Sequence, residues 1–138
     1  MYKKITLFLL LSSLCNACAD ENEDYVWKTK EVDVTAYNSV YWQTDDEPGV
    51  AAWGDTLIPG MKTIAVSQDL LHLGIGQGTQ VKINGLDGIY VVMDKMHSRW
   101  ENKIDIYMGT DVERARNWGN KTLKIKYRVK REANTKDE

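Results

Sequence analysis

Cysteine is nearly absent from this chain of 138 residues: Cys15 and Cys18 are the only two, and no thiol follows them. A domain built from the later residues therefore has no disulfide and no cysteine metal site. Long apolar runs are lacking too. The stretch from Ile5 to Leu14 is shorter than the roughly 20 residues a membrane-spanning helix needs. There is no basic excess. Eighteen Lys and Arg stand against twenty Asp and Glu, a formal charge of -2, so no nucleic-acid partner is expected. His72 and His97 lie 25 positions apart with no third ligand placed by spacing, so neither a metal nor a cofactor is expected. The run Gly74-Ile75-Gly76-Gln77-Gly78 is not followed by a long helix that could receive a phosphate, and it reads as turn geometry. No Ser–His–acid set has the spacing for nucleophilic hydrolysis. No internal repeat is evident.

What is present fits one globular domain with a modest core: 43% of residues are apolar and 28% charged. The first residues stand apart. Lys3 and Lys4 precede the apolar run, and Cys15-Asn16-Ala17-Cys18 follows it, the pattern of a secretory leader. A cysteine directly after small Ala17 resembles the lipobox of bacterial lipoproteins, with Cys18 as the lipidated first residue. The expected layout is a signal peptide over 1–17, an acidic tether over 18–31, the domain over 32–129 and a flexible tail over 130–138. Loss of the leader would move the formal charge from -2 to -4. The acidic cluster Asp20-Glu21-Asn22-Glu23-Asp24 resembles a surface-export signal of Bacteroidetes-type lipoproteins; it reads equally as a solvated, self-repelling tether. The expected location is the cell envelope, lipid-anchored at the outer membrane, on its periplasmic side or at the cell surface.

Strand patterns dominate the rest. Val32 to Tyr37 alternates apolar and polar residues, as do Thr79 to Asn84 and Lys103 to Met108. Thr63 to Ser67 reads as a short buried strand and Ile89 to Asp94 as the second arm of a hairpin, after turns at Asn84-Gly85 and Asp87-Gly88. Lys121 to Lys130 alternates most clearly, with Leu123, Ile125, Tyr127 and Val129 facing in. Between the last two strands, Thr110 and Glu113 read as a capping box that opens a short helix, with Val112, Ala115 and Trp118 on its buried stripe and Gly119 as its C-cap. Asn38 to Gly60 has no period and reads as a long surface loop. About six strands and one short helix predict an all-β fold, a small closed barrel.

The ordered landmarks are Val34-Thr35-Ala36-Tyr37, Ile64-Ala65-Val66, Gly78-Thr79-Gln80-Val81, Asp94, Lys103-Ile104-Asp105-Ile106-Tyr107, Trp118-Gly119 and Lys121 to Tyr127. This succession resembles the three-aspartate domain, a six-stranded double-psi β-barrel found in membrane-bound lytic transglycosylase A; rare lipoprotein A and the expansins have related barrels. The resemblance covers Val32 to about Val129. It implies action on peptidoglycan or another cell-wall glycan, with Asp94 and Asp105 matching two of the family's three acids. Ser67 stands where the first acid belongs, with Asp69 two residues on. Lys95-Met96-His97 replaces the small residues that follow the second acid.

The resemblance assigns candidate roles. Asp105 is the general acid of a lytic transglycosylase cleaving the MurNAc–GlcNAc bond, Asp94 its partner and Asp69 the replacement for the missing acid. Tyr37, Trp42, His97, Arg99, Trp100 and Tyr107 are candidate substrate contacts, the tryptophans by stacking on sugar faces. The alternatives are a non-catalytic, expansin-like glycan-binding module and an envelope accessory protein. No feature of the sequence specifies an oligomeric state.

Overall fold

The computed structural model describes residues 24–40 and 49–132. Cys18 and Trp42, the lipidation and sugar-stacking candidates, lie outside the described residues, as does the expected leader. The elements run β1 (Tyr25–Tyr37), β2 (Thr63–Val66), α1 (Gln68–Leu71), β3 (Gln80–Ile83), β4 (Tyr90–Lys95), β5 (Lys103–Tyr107), α2 (Val112–Trp118) and β6 (Lys121–Lys130). The six strands close into a barrel in the order β1-β5-β2-β4-β3-β6. This is the all-β closed barrel expected from the alternating patterns, and α1 adds a single helical turn to it.

The strand directions give the double-psi arrangement. β1 runs parallel to β5 and β2 parallel to β4, while every other neighbouring pair is antiparallel. Element order is strand, strand, helix, strand, then the same again. Exchanging β1 with β4, β2 with β5 and β3 with β6 reproduces the pairing scheme. The topology is therefore two-fold even though the sequence shows no repeat.

Alternation explains the core. Val32, Val34, Ile64, Val66, Val81, Val92, Ile104, Ile106 and Ile125 point into the barrel and are buried. Each contributes about 1.5–3 kcal/mol of burial. A second small cluster lies outside the barrel wall. There Ala51 and Leu57 pack on Tyr107, with Tyr37 and Met93 against them. The segment Gly49 to Leu57 makes this cover by folding as a small hairpin, bridged at Val50 and Thr56. Part of the presumed surface loop is thus buried against the wall.

Two boundaries differ from expectation. Residues 25–31, expected as tether, are strand: Tyr25 to Glu31 pair antiparallel with Lys130 to Lys124. Their charges obscured this because the arm is largely exposed, and only Val32 and Val34 of β1 are fully buried. β6 likewise includes Lys130, the first residue of the expected tail. At α2 the cap is Asp111, whose Oδ1 accepts from the Arg114 amide at 3.0 Å, in place of Thr110. The helix begins one residue later than the capping-box reading placed it.

Candidate functional site

Strand register brings the two acids together. Asp94 on β4 pairs with Ala65 on β2, Ala65 with Asp105 on β5, and Asp105 with Thr35 on β1. These four residues form one row across the outer wall of the barrel, because each alternates with inward-facing core residues. The strand spacing sets the two acidic Cα atoms about 10 Å apart, with the methyl group of Ala65 between them. Ala65 is itself buried, so only a methyl group separates the carboxylates in the wall.

Asp94 reaches this row through a β-bulge. Ile64 pairs with Val92, but Ala65 pairs with Asp94, so Met93 is the extra residue. Met93 packs on the outer cluster while Val92 lies in the core. Plain alternation would return Asp94 to the inner face; the bulge keeps it outside beside Asp105. Its Oδ1 accepts from the Ala52 amide at 2.7 Å and from the Lys95 amide at 2.9 Å. The hairpin over Tyr107 therefore also orients this carboxylate.

Asp105 sits deeper. Burial pushes its carboxyl above the usual aspartate range, and the charge of Asp94 pushes the same way. A hydrogen bond from Thr35 Oγ1 to Oδ1 at 2.9 Å and the nearby Lys103 ammonium oppose the rise without cancelling it. Tyr37 shares the neighbourhood. Burial, then Asp94 and Asp105, hold its phenol protonated well above the ordinary tyrosine range. Its hydroxyl is buried and makes no well-formed hydrogen bond among the described residues, although Asp94 lies close enough to act on it. The buried Thr63 hydroxyl, on the same outer face of β2 as Ala65, is likewise unpaired. Tyr107 is satisfied, its hydroxyl 2.7 Å from Ser39 Oγ and its ring 5.5 Å from that of Tyr37.

The loop from Met96 to Asn102 borders the row. The Met96 amide donates to the Val66 carbonyl at 2.8 Å, and Gln68 Nε2 donates to the Met96 carbonyl at 3.1 Å. At the other end the Lys103 amide donates to Ser67 Oγ at 2.9 Å. Trp100 is 38% exposed, with the Lys103 ammonium 3.9 Å and the Arg99 guanidinium 5.1 Å from its ring centre. His97 Nδ1 accepts from the Arg99 amide at 3.2 Å, which shapes the turn. His97 and Arg99 are exposed.

Asp69 does not join the pair. Its Oδ2 accepts from the amide of Asn102 at 2.9 Å, a residue with φ of 48°. Burial acts to raise its carboxyl, but hydrogen bonds involving Ser67, Asn102 and the amides of α1 outweigh that and leave it below the ordinary range. It anchors a strained loop end, and the bend that would carry it to Asp105 is not made. Trp53, expected in a loop, packs against the main core. Trp118 packs there too and donates from Nε1 to the Val34 carbonyl at 3.1 Å. Among the described residues no three His, Cys, Asp or Glu side chains converge as a metal-ligand set. The residues around Asp105 that the sequence did not single out are Thr35, Ala65 and Lys103. All three lie inside the motifs that carry the resemblance, but only register shows that Thr35 and Ala65 frame Asp105.

No protein-family model matches the chain, and no curated protein matches it. Among solved structures it is similar to the Streptomyces papain inhibitor, with 17% identity and a TM-score of 0.48 over 75% of this chain and 96% of that one. It is similar as well to the apo expansin of Clavibacter michiganensis, at 20% identity and a TM-score of 0.46 over 77% of this chain and 52% of that one. A mutant of the same expansin, solved in complex with cellohexaose, matches at 18% identity and a TM-score of 0.44 over 75% and 50%. This chain spans about half the length of the expansins it matches.

Proposed function

We propose that this barrel is a saccharide-binding module of a bacterial cell envelope, gripping peptidoglycan or a related wall glycan across the outer wall of β4, β2, β5 and β1. The observation that carries this reading is the registered row Asp94–Ala65–Asp105–Thr35. It presents two carboxylates flanking a small residue, with Trp100 exposed at the border. Carboxyls hydrogen-bond sugar hydroxyls and acetamido groups, and an exposed indole meets the C–H face of a pyranose. Cosedimentation with purified sacculi tests it. The wild-type chain is expected in the pellet, and Trp100→Ala and Asp94→Ala in the supernatant; wild type left in the supernatant overturns the reading.

A second reading is favoured by one observation, the raised carboxyl of Asp105 beside Asp94. A carboxyl that keeps its proton can act as a general acid. In a lytic transglycosylase it would protonate the oxygen of the departing GlcNAc and then, as carboxylate, take the C6 hydroxyl proton of MurNAc while that oxygen closes the anhydro ring. Asp94 would stabilise the positive charge that develops at the anomeric carbon. Mass spectrometry of digested sacculi decides this. Anhydromuropeptides from wild type but not from Asp105→Asn establish it, and their absence from both leaves the module as a binder.

The lipobox-like Ala17-Cys18 supports anchoring of the module to a membrane by lipid on Cys18. Metabolic labelling with an alkynyl fatty acid, lost in Cys18→Ser, is the expected result.

A further inference from the structure

Across the barrel from the carboxylates, β1, β6 and β3 present a different surface. The outward residues of β6 are Lys124, Lys126, Arg128 and Lys130, and register sets Trp27 of β1 beside Arg128 and Lys82 of β3 beside Lys126. The cations are ordered on aromatic rings. Lys82 Nζ lies 4.7 Å from the ring centre of Trp27, and the Arg128 guanidinium 4.4 Å from that of Tyr25. Arg128 also donates from Nη1 to Gln80 Oε1 at 3.2 Å. Between this sheet and the Gly74–Thr79 turn lies a groove of about 620 Å³ whose wall includes Tyr25, Lys28, Gln80, Arg128 and Lys130. Among the described residues Glu132 is the one acid in its lining, with its Oε1 3.9 Å from Lys28 Nζ. Three cations, Lys28, Arg128 and Lys130, thus line one groove of a chain of net negative charge.

We propose that this groove is a second binding site, taking an anionic polysaccharide that bears carboxylates or phosphates. Each part of the groove answers one part of such a ligand. Arg128, oriented in part by Gln80 and Tyr25, brings guanidinium charge to the groove wall. Lys28 and Lys130 supply flanking charge. Tyr25 and, further along, Trp27 offer ring faces to sugar C–H surfaces. The amide and hydroxyl side chains around the Gly74–Thr79 turn suit a ligand rich in hydroxyls. Concavity argues against a lipid surface: half-buried Arg128 sits in the groove wall, and a flat bilayer meets only the rim. This site is separate from the carboxylate row, which reaches β1 only at Thr35, whereas the groove takes Tyr25 and Lys28 from the other end of that strand.

Affinity electrophoresis of the full chain tests the proposal. Alginate is the carboxylate probe, polyribitol phosphate the phosphate probe and dextran the neutral control. The expected result is retardation by one or both anionic polymers and none by dextran, weakening as salt rises from about 50 to about 500 mM. Retardation by only one of them identifies the anionic group. Arg128→Gln is expected to weaken binding about tenfold, the worth of one charge-assisted hydrogen bond. Lys130→Glu, at an exposed position, is expected to weaken it with an unchanged melting temperature, which separates lost binding from lost folding. No retardation by either anionic polymer overturns the proposal, as does equal retardation of both variants. Tighter binding to phosphatidylglycerol vesicles or to a single-stranded oligodeoxynucleotide also overturns it.

Discussion

Asp105 is harder to ionise in the folded barrel than in the unfolded chain, chiefly because it is buried. The fold therefore holds this proton more tightly than the unfolded state does. Its stability is greatest below the ordinary aspartate value, near 4, and falls as pH climbs from there through the raised folded value. Asp105→Asn removes that cost, and the asparagine oxygen can still accept from Thr35. The variant is expected to melt a few degrees above wild type at pH 7 and to match it near pH 3, by thermal unfolding at both pH values. Equal melting at pH 7 would show that the carboxyl is not penalised by its surroundings. Ala65 carries the companion argument. It is 5% exposed and stands between the two acids. Ala65→Leu fills the space over which they face each other, at an overpacking cost of about 1–3 kcal/mol. Loss of sacculus cosedimentation with a retained β-sheet circular dichroism spectrum is expected, whereas Ala65→Ser is expected to bind.

At the scale of the element, α2 shows how a local motif can be misread by one position. Thr110 and Glu113 satisfy the capping-box spacing, yet Asp111 supplies the oxygen that meets the Arg114 amide. Asp111→Ala is expected to cost about 1 kcal/mol and Thr110→Ala close to nothing, measured by urea denaturation. Equal costs would restore the earlier cap. The six strands, by contrast, were legible because each, over at least part of its length, alternates between a buried face and a more exposed one or is buried throughout. That signal is local and has period two. The site was legible only as a pair of acids, since two facts about it are not local. One is the bulge at Met93, which an alternating pattern cannot reveal because Val91, Val92 and Met93 are all apolar. The other is the antiparallel pairing of β2 with β5, which sets Ala65 against Asp105. That pair is the middle one of the three joining β2 to β5, where the two-fold scheme of the topology crosses the wall. The same scheme exchanges Asp94 with Thr35. The two acids are therefore not each other's symmetry partners, since each is matched by an uncharged residue in the other half, and a sequence without a visible repeat gives no hint of it.

At the scale of the whole molecule, the closed barrel depends on a strand whose first half lacks the usual marks of one. β1 meets β5 only over Asp33 to Tyr37, but it meets β6 over ten residues from Tyr25 to Val34. Seven of those ten pairs, Tyr25 to Glu31, lie before the boundary at Val32 that composition suggests. They cover the stretch of β6 that includes Ile125 and Tyr127, both of which belong to the buried core. A chain shortened to begin at Val32 keeps three pairs with β6 and opens the seam beyond them. It would leave backbone groups of Lys124 to Lys130 unpaired on the β1 side and create an exposed edge prone to pairing with other chains. A chain beginning at Asp24 keeps the seam, including the hydrogen bond from the Arg131 amide to the Asp24 carbonyl at 2.7 Å. The longer chain is expected to unfold cooperatively as a soluble protein. The shorter is expected to melt at least about 10 °C lower, beyond the effect of a single lost contact, or to aggregate. Scanning calorimetry with light scattering compares them. Equal melting would mean that the arm is dispensable and that the barrel closes on the second half of β1 alone.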